Sequence, residues 1–352
     1  MKEKEQIKMF KDVFAPKSGE KILFLIDTPY GEIKDSDLWK ERRLMAHQWH
    51  KTFKEMGKEM GFSVEFLEYE ATGLNNSPLP QTIVNTVSKY NLVIAMTEYS
   101  ATASLVQICN AKDTITRCAS MPGVEKRMEE TAFKADYAEV RRYANAIKKM
   151  LDEAIGASIL FSTGDKLYID LRNRVAGADE GDCSKTGQSI NFPSGEAWKA
   201  PYEGTGEEIR DFGESKTEGI MPISSENEIL KFIIKNNQII KIIGKEKKAE
   251  ENRIFFLEDK TRRNIAELGI GCNPKAVVTG NVLEDEKVGG LHIAYGMSTH
   301  LGGKIKSDMH QDICYPKGLP VEATTLHLIN NDGSKIELIK NAMLRYELLK
   351  KF

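Results

Sequence analysis

Residues 21–31 read KILFLIDTPYG, an unbroken apolar run from Ile22 to Ile26 stopped by Thr28-Pro29-Tyr30-Gly31. A strand with one wet face would alternate, and this run does not, so it reads as a strand buried on both faces. Working outward, Ser36 to Met60 carries Trp39, Leu44, Met45, Trp49 and Phe53 at mixed three- and four-residue spacings, the pattern of an amphipathic helix. Phe62–Leu67 and Asn91–Met96 read as further strands, Ala101–Lys112 as a helix, and Arg117–Gly123 as a short strand ended by Pro-Gly. A long charged helix from Val124 to Ile155 is expected to close this part. Strands alternating with helices predict an open, mostly parallel α/β sheet over residues 1–155. After Gly156 the strands shorten and glycines multiply. Ala157–Ser162 and Lys166–Leu171 read as strands. Ile229–Ile243 reads as a hairpin around the polar turn at Asn236-Asn237. Residues 156–352 are therefore expected to form a second, strand-rich α+β domain.

Composition narrows the class. The chain has 352 residues, 41% apolar and 29% charged, and a net charge of −2 from 50 basic and 52 acidic side chains. That balance gives no electrostatic footprint for nucleic acid or a membrane surface, and no apolar run is long enough to span a bilayer. The charged start, Met1-Lys2-Glu3-Lys4-Glu5, leads into no signal-peptide core, so a cytoplasmic protein is expected. The five cysteines are scattered without a CxxC pair, which predicts free thiols rather than a disulfide framework.

The chemistry-bearing residues gather late in the chain. His292, His300, His310 and His327 fall in one stretch with Glu267, Glu284, Asp285, Glu286, Asp308 and Asp312. Imidazole and carboxylate are ligands for Zn²⁺, Co²⁺ or Mn²⁺ in hydrolytic sites. Carboxylates outnumber imidazoles here and can bridge, which points to two divalent ions. On a strand, His310 and Asp312 share a face. Other chemistries lack their residues: there is no HExxH, no GxSxG and no GxxxxGK[ST]. Gly269-Ile270-Gly271 is only a fragment of a dinucleotide fingerprint, and it lies outside the strand–helix region. His47 and His50 lie on the predicted amphipathic helix and read as packing or surface residues.

Four segments resemble the thermophilic aminopeptidases, metallopeptidases of the aminopeptidase T and aminopeptidase S type. They are Asn191–Pro201 (NFPSGEAWKAP), Ala266–Pro274 (AELGIGCNP), Leu283–Gly296 (LEDEKVGGLHIAYG) and Met309–Asp312 (MHQD). The resemblance implies metal ligands at Glu196, Glu267, His292, His310 and Asp312, with Glu267 bridging. It further implies a metalloaminopeptidase acting on peptide substrates, and a homodimer. Glu286, beside Asp285, is the candidate general base, with a further ligand as its alternative role. The family's tyrosine, seven residues after the first ligand histidine, is replaced by Thr299; His300 stands beside it as a possible extra ligand or substrate contact. The replaced tyrosine leaves a second reading, a metal- or peptide-binding homologue that keeps the fold without turnover. A nucleotide-binding role for the parallel sheet lacks a phosphate loop.

Overall fold

The computed structural model describes residues 1–226 and 228–351, which divide into two compact units. The first comprises Met1–Arg141, Asp179–Ser194 and Lys275–Val277; the second comprises Arg142–Ala178, Gly195–Pro274 and Val278–Phe352.

In the first unit, Lys21–Thr28 pairs in parallel with Ser63–Glu70 on one side and Leu92–Ala95 on the other. Arg117–Ser120 follows, and Ser189–Asn191 completes a five-stranded parallel sheet. Leu23, Phe24 and Leu25 are all buried, as the unbroken apolar run requires. The long helix Asp37–Met60 is capped by Ser36, whose side chain accepts the Trp39 amide, and is closed by Gly61 at φ 82°. Its Trp49 and Phe53 pack on Phe10 of a preceding helix, Glu3–Phe14, with ring centroids 5.0 and 4.4 Å apart. The first helix buries Met9, Phe10, Val13 and Phe14, an apolar stripe at helical spacing, whereas the three-residue fifth strand carries no such pattern.

The expected helix over residues 124–155 is corrected. Lys126–Glu130 and Ala132–Lys134 form tight 3₁₀ turns, and the helix is only Tyr137–Glu153. The cause is local: the Asp136 carboxylate accepts the Ala138 amide at 3.0 Å and starts a new helix there. The chain then passes directly into the strand Ala154–Phe161.

The second unit holds two sheets. One has eight strands around the hairpin-like pairing of Ala154–Phe161 with Lys166–Asp170 and Ala323–Asn330. At one edge, Ile229–Lys235 and Gln238–Ile243 form the expected hairpin, with Asn236 and Asn237 at φ 49° and 63°. The other sheet has five strands in the order His310–Cys314, Leu291–Gly296, Ile265–Gly271, Glu196–Lys199 and Ala176–Asp179. Ala197, Leu268, Ile270, Leu291, Ile293 and Tyr315 join Ile159, Leu167, Leu326 and Leu328 of the larger sheet in one apolar cluster. One face of the smaller sheet is thus spent on the core. The alternate residues of its strands point the other way, and they carry the site.

Candidate metal centre

Register decides what meets on that face. Residues directly opposite in an antiparallel pair share a face. Gly269 stands opposite His292, Gly271 opposite Glu196, and Ala294 opposite both Glu267 and Asp312. A register shift between Ile265 and Glu267 lets Ile265 enter the core while Glu267 stays on the site face. Gly269 is a spacing requirement: a Cβ there would come within 1.9 Å of the His292 Nε2. Without that methyl the imidazole lies across the neighbouring strand and reaches the carboxylates.

The five expected ligands converge. His292 Nε2 lies 3.3 Å from Glu267 Oε1 and 3.4 Å from Glu196 Oε2. His310 Nε2 lies 3.1 Å from Glu267 Oε2 and 3.5 Å from Asp312 Oδ1. Ligand atoms of Glu196, Glu267 and His292 lie within 4.8 Å of one another, as do those of Glu267, His310 and Asp312. Glu267 belongs to both groups and turns a different oxygen to each imidazole. His310 Nδ1 lies 2.7 Å from the Met297 carbonyl, which must accept its proton, so Nε2 is left to act as a ligand. His292 Nδ1 is buried without a partner among the described residues.

Glu286 adjoins the group and belongs to neither triad. Its Oε1 accepts from Lys287 Nζ at 2.7 Å, and the same ammonium donates to Glu196 Oε1 at 2.6 Å. Lys287 is fully buried, and Glu284, Asp285 and Glu286 beside it are buried too, so the fold turns the whole of this charged run inward. His300 sits on the turn Thr299–Leu301 with its ring edge-on to His310, centroids 4.7 Å apart, and belongs to neither ligand group. His327 lies on the larger sheet, and Asp308 pairs with Arg262.

Buried carboxylates and imidazoles perturb one another strongly. Burial drives the Glu286 carboxyl up to about 8 against the pull of Lys287. Burial would raise Glu267 too, but the hydrogen bonds from His292 and His310 outweigh it and hold Glu267 well below the usual range. Burial opposes charge on His292, yet Glu267 and its acidic neighbours raise it to about 9; His310 is likewise raised, against burial, by Asp312 and Glu267. Burial lowers His300 to about 4, with His310 adding to the effect; the residue as a whole is exposed, and water weakens that shift. The donor set fits divalent metal: three carboxylates and two imidazoles, crowded together so that positive charge is favoured among them.

No protein-family model matches the sequence, and no curated protein matches it. Solved structures share its fold, among them the following two. The 2,5-dihydroxypyridine dioxygenase from Pseudomonas putida KT2440 superposes with a TM-score of 0.68 at 16% identity, over 98% of each chain. Wild-type AmpT from Thermus thermophilus superposes with a TM-score of 0.61 at 13% identity, over 97% of this chain and 98% of that one. At such identities the likeness is one of fold, and the chemistry has to be argued from the site.

Proposed function

We propose that the protein is a metal-dependent aminopeptidase that would hold two divalent ions, Zn²⁺, Co²⁺ or Mn²⁺, with Glu267 common to both sites. The observation that carries this reading is the division of the two Glu267 oxygens between two separate histidine–carboxylate groups. Glu196, Glu267 and His292 would hold one ion; Glu267, His310 and Asp312 would hold the other. When bound, such ions polarise a carbonyl and lower the pKa of a water toward ~7. Glu286, outside both ligand groups, is the base in this scheme: it takes the water proton and returns it to the leaving amine as the C–N bond breaks. Lys287 fixes Glu286 and Glu196 together, and the Met297 carbonyl fixes the tautomer of His310. AmpT, an aminopeptidase T, has the same fold, which is consistent with the reading.

The dioxygenase neighbour suggests a different chemistry, and the donor set argues against it. Non-haem iron(II) oxygenases use two imidazoles and one carboxylate on a single ion. Here the two imidazoles fall in different groups, each with two carboxylates. Metal analysis of the reconstituted full-length protein, with hydrolysis of a panel of aminoacyl amides, tests the proposal. Two ions per chain and chelator-sensitive amide hydrolysis are expected. Two ions without hydrolysis would favour the binding homologue; one ion with oxygen uptake on a dihydroxypyridine would replace the proposal with ring cleavage.

A further inference from the structure

Cys109, Cys118 and Cys183 fall in the first unit as free thiols, and two of them touch. Cys109 is the last residue of the helix Thr102–Cys109, and Cys118 lies in the strand Arg117–Ser120 of the parallel sheet. The helix packs back on that strand and brings the two sulfurs to 3.4 Å. Cys118 Sγ is also 3.4 Å from Ser189 Oγ on the neighbouring strand. Both cysteines are buried. A sulfur–sulfur bond is about 2.05 Å long, so the pair has about 1.4 Å left to close, within reach of a small side-chain rotation.

Two features separate this pair from inert core thiols. Contact with Cys118 lowers the pKa of the Cys109 thiol against the effect of burial, and the same contact raises that of Cys118, so Cys109 is the sulfur that ionises first. The chain between the two is also a surface turn, with Asn110, Ala111, Lys112 and Asp113 exposed. Cys109 sits where the helix gives way to that turn, and opening of the last helical turn is the short route by which a small oxidant reaches it.

We propose that Cys109 and Cys118 form an oxidation site that closes to a disulfide when a hydroperoxide reaches Cys109. In the first step the Cys109 sulfur attacks the peroxide, the O–O bond breaks, and water or an alcohol leaves while a sulfenic acid stays on Cys109. In the second, the Cys118 sulfur attacks that sulfur; the S–S bond forms, the S–O bond breaks, and the oxygen departs as water with the Cys118 proton. Two thiols are oxidised by two electrons in all, and one hydroperoxide is reduced. The closed bond holds the end of the helix to the strand, and a thiol reductant reopens it. Cys183 is the competing partner, since it is buried in the same unit and close enough for its charge to act on Cys118. The site does not depend on the aminopeptidase reading.

The test uses the full-length protein, reduced, freed of reductant and treated with hydrogen peroxide. Remaining thiols are alkylated with N-ethylmaleimide under denaturing conditions and located on tryptic peptides. Lys112 and Arg117 lie between the cysteines, so cleavage puts them on separate peptides that only a bond can join. Cys109 and Cys118 are expected to lose alkylation in equal amounts, to appear as one linked peptide pair, and to recover with dithiothreitol. In Cys118→Ala, Cys109 should carry a sulfenic acid that dimedone traps, and Cys183→Ala should leave the bond unchanged. The wild-type peptide map needs no variant, so it decides the matter even where a variant fails to fold. Both thiols still fully alkylated after peroxide, a bond from either one to Cys183 or to a second chain, sulfinic acid on Cys109 beside a free Cys118, or no dimedone adduct on Cys109 in folded Cys118→Ala would overturn the proposal.

Discussion

At the level of single residues, Gly269 and Glu267 illustrate two kinds of necessity. Gly269 is required by space: the His292 ring occupies the volume a side chain would need. Gly269→Ala should cost about 1–3 kcal/mol, the usual range for overpacking, and should displace His292. Urea unfolding beside zinc titration will check both, and an alanine variant with wild-type stability and zinc affinity would contradict the account. Glu267 is required by charge. Glu267→Ala removes the oxygen pair common to both groups, so both ions and all chelator-sensitive hydrolysis should be lost while the far-UV spectrum is kept. Retention of two tightly held ions would show that Glu267 does not bridge. His300 belongs to neither ligand group, so His300→Ala should leave the metal count at its wild-type value and act on turnover only through the His310 ring it packs against; a lost ion on metal analysis would make it a ligand.

Between elements, two buried charges set how the site's surroundings are held. Glu203 accepts the amides of Lys304 and Ile305 at 2.7 and 3.3 Å, receives the Ser298 hydroxyl, and pairs with Arg174 at 2.9 Å. It thereby ties down the loop that follows the His292 strand and carries Met297 and His300. Glu203→Gln should cost less than the ~3–5 kcal/mol of a buried charge stripped of its partner, because Arg174 keeps its pair with Glu208. It should also weaken metal binding at the His310 group, readable by zinc titration; stability lost with metal affinity intact would confine Glu203 to the fold. Lys199 works on the core side of its strand. Its ammonium donates to the carbonyls of Leu151 and Ala154 at 2.7 and 2.9 Å, at the end of the helix Tyr137–Glu153. Burial lowers its pKa to about 8 from the model-compound value of 10.5. The unfolded chain then binds more protons than the folded one between those two pH values, so stability should rise as pH increases from about 8 to 10.5. Lys199→Met should flatten that rise, and a slope unchanged by the substitution would show that another group carries it.

For the whole molecule, metal and fold are linked. Without cations, Glu196, Glu267, Asp312 and Glu286 crowd one buried face with only Lys287 and protonated imidazoles to offset them. Each ion at a hundred times its dissociation constant should add about 2.7 kcal/mol to stability. Chelation should therefore lower the melting temperature at neutral pH, and a melting curve indifferent to chelator would count against ligands that are buried together. No described helix is long and apolar enough to cross a membrane.

The sequence by itself determined the elements whose cause is local. Ile22–Ile26 had to be a doubly buried strand, Asn236-Asn237 had to turn, and His310 and Asp312 had to share a face, because each follows from spacing within a few residues. The break at Asp136 is equally local, since Asp136-Tyr137-Ala138-Glu139 is a helix-start signal set inside a longer helical pattern. What only the tertiary structure decided was which charges become buried and which distant residues share a face. Lys287 differs in no local way from a solvated lysine, yet the fold encloses it between two glutamates. Glu196 and His292 are nearly a hundred positions apart, and they meet because the Ile265–Gly271 strand between them pairs with both neighbours in fixed register. Burial and cross-strand register are properties of the assembled sheet, and no window of sequence contains them.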